Sequence, residues 1–354
     1  MTAPTSAHIR CSIVPPYLLA RLASLQAPEH QHAAAAAQRA LVQLEPIHSA
    51  RADAPRDPSR GAGTAVVLAL RRTISDAGGS ESLPGEPVRR EGDPPTGDVA
   101  VDEAYAGLGA TYELFQEVYG RSSIDNAGLP LNATVHYGRE YDNAFWDGSR
   151  MVFGDGDGEI FGRFTASLAV IGHELAHGFT QYSSNLRYQG QSGALNESLS
   201  DVFGVLVEQR ERGQSADAAS WLVGEGLFTE QVEGRALRSL KAPGTAYDDD
   251  VLGKDPQPAT MADYVDTTSD NGGVHINSGI PNHAFYIAAM RLGGNAWERA
   301  GQIWYDAATG GRVPVDCDFA LFASVTVDAA EARFGAGSPE AESVGYAWRE
   351  VGVL

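Results

Sequence analysis

The rhythm of apolar positions changes about halfway along the chain. "TAVVLALRRTISD", residues 64–76, is crowded with branched apolar side chains and alternates as strands do. "ATVHYG" and "RMVFGDGDG", starting at Ala133 and Arg150, read as further strands running into turns. "VAVDEAYAGLGATYELFQEVYG", 99–120, carries apolar residues at helical spacing and closes on Gly120. A loop rich in Gly and Pro, 79–98, precedes it. From Thr165 onward the period is mostly helical, predicting helices over 166–182, 195–210, 278–292, 296–308, 318–333 and 339–350. Strands first and helices later predict an α+β fold in two lobes: a β-rich lobe over 63–186 that ends in the helix at 166–182, and a mainly helical lobe over 187–354.

Ahead of this lies a separate unit. An apolar patch (Ile13, Val14, Tyr17, Leu18, Leu19, Leu22) leads into "APEHQHAAAAAQRALVQLE", whose alanines predict a helix. Residues 48–61, polar and rich in Pro, Arg and Ser, read as an exposed linker. The domain division is therefore 1–50, a linker at 51–62, and the two lobes. "CSIVPPYLLARL", 11–22, makes a poor Sec-type signal, because Pro15–Pro16 break the apolar run, Arg21 follows and no small-residue cleavage site is evident. The expectation is a cytoplasmic protein or one exported by a non-Sec route. A polar linker beside an apolar segment suggests that the segment docks on the rest of the chain.

Composition narrows the partners. At 354 residues the chain can bury a sizeable core, and 43% hydrophobic content is ordinary. No run of about 20 apolar residues suggests a membrane span. The net charge of −20 argues against nucleic acid or an anionic membrane as partner. Two cysteines, Cys11 and Cys317, do not make a disulfide scaffold. The chain is expected to act as a monomer.

The chemistry starts in "ASLAVIGHELAHGFTQY". His173 and His177 sit four apart on a predicted helix, on one face, with Cβ atoms about 5–6 Å apart. Two such imidazoles can share a zinc ion, and Glu174 between them can address a metal-bound water. A catalytic zinc needs a third protein ligand. "GALNESLSDVFG" offers Glu197 and Asp201 on one helix face; one carboxylate can bind metal while the other fixes a ligand imidazole. "SDNGGVHINSGIPNHAFY" sets Asp270 and His275 on a glycine-rich loop. Asp270 can keep the imidazole oriented and cationic, suited to an oxyanion; a loop histidine satisfied locally is the other reading.

These stretches, with "YDNAFWDGSRMVFGDGDG" upstream, resemble the thermolysin family of zinc metallopeptidases from about Asp98 to the C terminus. The resemblance implies a neutral zinc endopeptidase acting on peptides and proteins, with the zinc in the cleft between its lobes. His173, His177 and Glu197 would ligate zinc, and Asp201 would hold His173. Glu174 would activate the water; His275, oriented by Asp270, and Tyr188 would stabilise the oxyanion. Asn143 and Ala144 would hold the substrate backbone as an added strand, and Arg238 would bind a substrate carbonyl. Phe161, Val170 and Leu237 would line a pocket preferring large apolar residues after the scissile bond.

The short N-terminal unit and its start, "SIVPPYLL", resemble the protealysin-like subgroup, which implies an inhibitory pro-segment removed on maturation, anchored by Pro15, Pro16 and Tyr17. Cys11 reads as a small apolar contact, with a thiolate on zinc as the alternative. Family calcium sites are thinned: Glu208 and Glu225 remain, but Ala169, Ser220, Leu222 and Arg235 stand elsewhere. That disfavours a double calcium site and leaves room for one ion. "GDGDG", 154–158, reads as a tight turn rather than a calcium loop. Two other functions compete. A catalytically idle metal-binding protein would be expected to lack Glu174 or His275, and both are present. A zinc aminopeptidase would carry a Gly-x-Met-Glu-Asn motif, and the chain has none.

Overall fold

The computed structural model describes residues 12–52 and 69–354, leaving out the side chains of 44–52. Cys11 and most of the expected linker therefore lie outside the described residues. The N-terminal segment runs from Ser12 through an extended Pro15 into helix α1, Pro16–Ala23, with proline at its first turn, where a missing N–H costs nothing. Leu18, Leu19 and Leu22 form its buried face. Helix α2, Gln31–Ala52, packs on α1. It buries Ala33, Ala36, Ala37 and Ala40, a stripe of small residues at helical spacing that lets the helices approach closely. The linker expected from residue 48 thus begins as helix and stays helical to Ala52, in keeping with the high helix propensity of alanine and arginine.

The β-rich lobe is built on a five-stranded mixed sheet in the order β2-β1-β3-β5-β4. Its strands are β1 (Arg72–Asp76), β2 (Glu86–Arg90), β3 (Leu131–Val135), β4 (Ala144–Trp146) and β5 (Met151–Phe153). The strand expected over 64–76 is confined to its last five residues; residues 64–68 are not described. Helix α3, Val99–Glu113, is capped by the Asp98 carboxylate, which accepts from the Ala100 and Val101 N–H groups. It passes into a single π turn at Leu114–Val118 instead of continuing to residue 120 as a regular helix. Strand β4 is an edge strand, so one side of its backbone faces the cleft.

Helices α4 (Leu168–Gln181) and α5 (Gly190–Glu211) cross behind the cleft. Gly172 and Gly204 make the crossing close: a Cβ at 204 would stand 2.4 Å from the Ala169 carbonyl oxygen, and one at 172 would stand 3.0 Å from the Gly204 Cα. α5 starts five residues ahead of the predicted 195, where a Gln189 main chain in extended conformation ends and the helix begins at Gly190. Short ladders β6 (Leu222–Val223), β7 (Arg238–Ser239), β8 (Asp248–Asp249) and β9 (Gly253–Lys254) follow. Then come α6 (Asp270–Asn277), α7 (Gly279–Leu292), α8 (Ala300–Thr309), α9 (Phe319–Phe334) and α10 (Pro339–Glu350). Their core is aromatic, with Phe285 edge-on to Trp304 at 5.0 Å and Trp304 stacked on Trp348 at 6.1 Å. The two lobes share one hydrophobic core, which also takes in Ile13, Val14 and the leucines of α1.

Candidate active site

Helix α4 is buried almost end to end, so its histidines face protein on every side. Each imidazole is oriented through Nδ1: His173 to Asp201 Oδ1 at 2.7 Å, and His177 to Asn196 Oδ1 at 2.9 Å and Ser200 Oγ at 3.0 Å. With Nδ1 so engaged, both Nε2 atoms turn to one point, 3.0 Å apart. Glu197, from α5, brings Oε2 to 3.7 Å of His173 Nε2 and Oε1 to 3.6 Å of His177 Nε2. The three ligand atoms lie within 4.8 Å of one another and all three residues are buried. Two imidazole nitrogens and a carboxylate oxygen converging on one point fit zinc. Burial alone would raise the pKa of Glu197, yet His275, His177 and His173 outweigh it and hold it at about 2.

Asp201 is also fully buried. Besides His173 it takes the Nε–Nη2 edge of the Arg238 guanidinium, at 2.8–3.2 Å, and the Asn282 amide at 2.8 Å. Burial opposes its ionisation, but Arg238 and His173 push its pKa far below the carboxylate range. Glu174 Oε2 accepts the Trp146 N–H at 3.0 Å, which orients the carboxylate from β4.

Across the cleft, α6 begins with four left-handed residues, Asp270, Asn271, Gly272 and Gly273, at φ 50°, 54°, 82° and 75°. This turn folds Asp270 back onto His275: Oδ1 meets Nδ1 at 2.6 Å and Oδ2 accepts the His275 N–H at 2.8 Å. Burial pushes the His275 pKa down, but Asp270 and Glu197 push harder and the net shift is upward. Its Nε2 lies 3.1 Å from the Tyr188 hydroxyl, which donates to Glu197 Oε1 at 2.5 Å.

The predicted substrate residues meet the chain's own N terminus. Ala144 O accepts the Ile13 N–H at 3.1 Å, and Asn143 Oδ1 accepts the Val14 N–H at 3.0 Å. Asn143 Nδ2 donates to the Val14 carbonyl at 3.3 Å and to Ser12 Oγ at 3.1 Å, and Arg238 Nη1 donates to the Ile13 carbonyl at 3.1 Å. Ile13 and Val14 are completely buried. Phe161, Val170 and Leu237 are buried in the same core. Pro15 is buried, while Pro16 and Tyr17 are half-buried, and Tyr17 stands within electrostatic reach of Tyr247, Asp255 and Arg238.

Residues 75–181 match the model described as the thermolysin metallopeptidase catalytic domain, and 184–353 that of its alpha-helical domain. The chain belongs to the thermolysin family. An extracellular metalloprotease of Pectobacterium carotovorum subsp. carotovorum is 49% identical over 97% of this chain and 96% of its own length. Protease PrtS of a Photorhabdus species is 52% identical over 80% of this chain and 76% of its own length. Among solved structures, the precursor of protealysin from Serratia proteamaculans superposes with a TM-score of 0.87 at 51% identity, covering 97% of this chain and all of that one. This family member is a zinc-dependent endopeptidase of the protealysin-like kind, made as a zymogen.

Sequence reasoning named the ligands and Asp201 but missed Asn196 and Ser200 on His177, Asn282 on Asp201, and the Trp146 N–H on Glu174. Asn196 and Ser200 lie on the Glu197 helix face and were legible by spacing; Asn282, 81 positions from Asp201, left no local signal. Beside the expected anchor at Pro15–Tyr17, where Tyr17 is hydrogen-bonded to Tyr247, Ser12, Ile13 and Val14 also bond to the cleft. Two branched apolar residues ahead of a Pro-Pro pair, a natural edge strand, were the available signal. The two calcium candidates stand together away from the zinc ligands: Glu208 is buried, its pKa raised by burial and further by Glu225, and Arg212 one turn on reaches Glu208 Oε1 at 2.6 Å. The "GDGDG" stretch is a turn, with Gly156 and Gly158 left-handed and Asp157 Oδ1 accepting three successive N–H groups.

Proposed function

We propose that the N-terminal segment is an inhibitor that occupies the place of substrate backbone, and that its removal frees an endopeptidase in which the cleft residues divide the work as follows. The observation carrying this reading is the tripeptide Ser12–Val14, laid along the β4 edge by Ala144, Asn143 and Arg238. A substrate held by the same groups would set the peptide bond before its own Ile13-like residue against the His173–His177–Glu197 site. The apolar Phe161–Val170–Leu237 pocket would then receive that residue, giving a preference for large apolar side chains there.

Zinc bound by the triad supplies a Lewis acid for the scissile carbonyl and lowers the pKa of water towards about 7. Glu174, oriented by Trp146, takes the proton of the attacking water and passes it to the leaving amine. Asp270 on Nδ1 and the nearby Glu197 raise the His275 pKa and so favour the imidazolium, whose Nε2–H would be a donor for the oxyanion, beside the Tyr188 hydroxyl. The intact set of groups leaves no observation in favour of the idle metal-binding alternative.

A single calcium at Glu208 and Glu225 would have to displace Arg212, which already supplies the positive charge there; this reading therefore makes calcium dispensable. Among the described residues no helix is long and apolar enough to cross a membrane. The relative named an extracellular metalloprotease supports export, and finding the protein only in cell lysates would overturn that.

Intact mass spectrometry of the purified precursor beside a Glu174→Ala variant tests the zymogen mechanism. Loss of the segment preceding the catalytic lobes in wild type alone is expected. Loss from both proteins would place the cleavage outside this active site.

A further inference from the structure

Asp142 sits between Tyr141 and the Asn143–Ala144 edge, and no part of the catalytic reading uses it. Its side chain is completely buried, and neither carboxyl oxygen has a hydrogen-bond partner. Asp157, 8% exposed, faces the same problem: Oδ1 accepts the N–H groups of Glu159, Ile160 and Phe161 at 2.8–2.9 Å, while its buried Oδ2 has none. The two segments are zipped together by main chain. The Gly154 N–H donates to the Asn143 carbonyl at 3.0 Å, the Gly156 N–H donates to Tyr141 O at 3.3 Å, and a Cβ at Gly154 would stand 2.0 Å from Tyr141 O.

Three buried acceptor atoms without donors are costly. A proton on one carboxyl relieves two of them at once. We propose that Asp142 is a neutral carboxylic acid donating to Asp157 Oδ2, and that this bond is a positioning device fixing the Asn143–Ala144 edge to the turn that presents Phe161. It rests on the reading of Asn143 and Ala144 as the substrate edge. Asp157 is held as the acceptor by the three N–H groups it already receives.

The surroundings favour the neutral form. Burial, and next the negative charge of Asp157, push the Asp142 pKa up to about 8; Glu140 adds to this. The Asp157 N–H approaches the carboxyl without ordinary hydrogen-bond geometry and, with Arg39 from α2, opposes the push. Another titratable neighbour, Tyr141, is itself buried, and its raised pKa owes part of the shift to Asp142. Below pH 8 the acid holds the edge to the turn; above it two buried carboxylates repel and the substrate edge loosens.

Asp142→Asn keeps a donor in place at every pH. In the mature enzyme, the ratio of its kcat/KM to that of wild type is expected to be flat below pH 8, then to rise about tenfold per pH unit through KM, the slope of one ionisation. Comparing the two enzymes at each pH cancels the titration of His275 and of the zinc site. Asn143→Ala is the control: if it leaves KM unchanged, the substrate-edge reading fails. If it raises KM while the Asp142→Asn ratio stays flat to pH 10, the positioning role is overturned. Should Asp142→Asn not fold, NMR of the Glu174→Ala precursor labelled at the aspartate carboxyl carbon decides alone. One aspartate is expected to titrate near pH 8; none doing so sinks the proposal.

Discussion

Asp201 joins three parts of the cleft through one buried carboxylate: the zinc ligand His173, the backbone-binding Arg238 and Asn282 of α7. The arrangement is tolerable only because every charge has its opposite at hydrogen-bond distance. Asp201→Asn removes the anion and strands the guanidinium of Arg238, which is entirely buried. A loss of about 3–5 kcal/mol in unfolding free energy is expected, the cost of breaking a buried pair from one side. The same change weakens the hold on His173, so zinc affinity should fall about 10–100-fold. Urea unfolding and a competitive zinc titration read the two effects separately. Unchanged values in both would mean that Asp201 is a bystander.

At the scale of elements, the zinc site is the crossing of α4 and α5. Glycine at 172 and 204 sets their distance, and the distance sets whether Glu197 reaches the imidazoles. Gly204→Ala would put its methyl 2.4 Å from the Ala169 carbonyl oxygen and 3.0 Å from the His173 N–H nitrogen, neither of which can yield without moving a helix. We expect a destabilisation of about 1–3 kcal/mol and a fall in zinc content of the purified protein. Full zinc occupancy would show that the crossing tolerates the methyl. The other element-scale contact is α2 on the β-rich lobe. His32 bridges Glu140 at 3.1 Å and Glu159 at 3.5 Å, His30 meets Glu159 at 3.2 Å, and Arg39 meets Glu140 at 2.7 Å. The hydrogen bond to Glu140 is the main cause raising the His32 pKa. A raised histidine pKa means that its hold is complete below about pH 6.5 and is lost as pH rises through the folded value. On the pro-segment reading, a Glu174→Ala precursor cut by mature enzyme should be cut faster, relative to its His32→Gln counterpart, at pH 8 than at pH 6. The ratio removes the pH dependence of the protease itself, and a constant ratio would exclude the latch.

For the molecule as a whole, metal and fold are linked. Without zinc, two imidazoles and Glu197 converge in a buried site with no cation to share them, so stripping the ion should lower Tm. Restoring free zinc at about 100 times its Kd returns about 2.7 kcal/mol. Calcium is expected to leave the stripped protein unchanged, since Arg212 already neutralises Glu208. Recovery of Tm in calcium alone would reverse that reading.

Much of this molecule was legible before any coordinates. The change of period from strands to helices foretold the α+β class, and the family motifs foretold the zinc endopeptidase. The His173–His177 spacing is a property of one helix turn, and the Glu197–Asp201 spacing of another, so local periodicity alone puts each pair on one face. What the sequence left open has a common physical cause: it depends on contacts between segments far apart in the chain. Position along the chain does not say that α4 and α5 cross at two glycines, or that Asn282 closes onto Asp201. Nor does it say that Asp142 and Asp157 share a buried space, or that Ser12–Val14, 129 residues from Asn143 by one of its bonds, takes the edge of β4. The sequence by itself determined which groups could do zinc chemistry. Only the packing of helix on helix and strand edge on N-terminal segment decided where they point, because main-chain directions and burial are set by the whole fold.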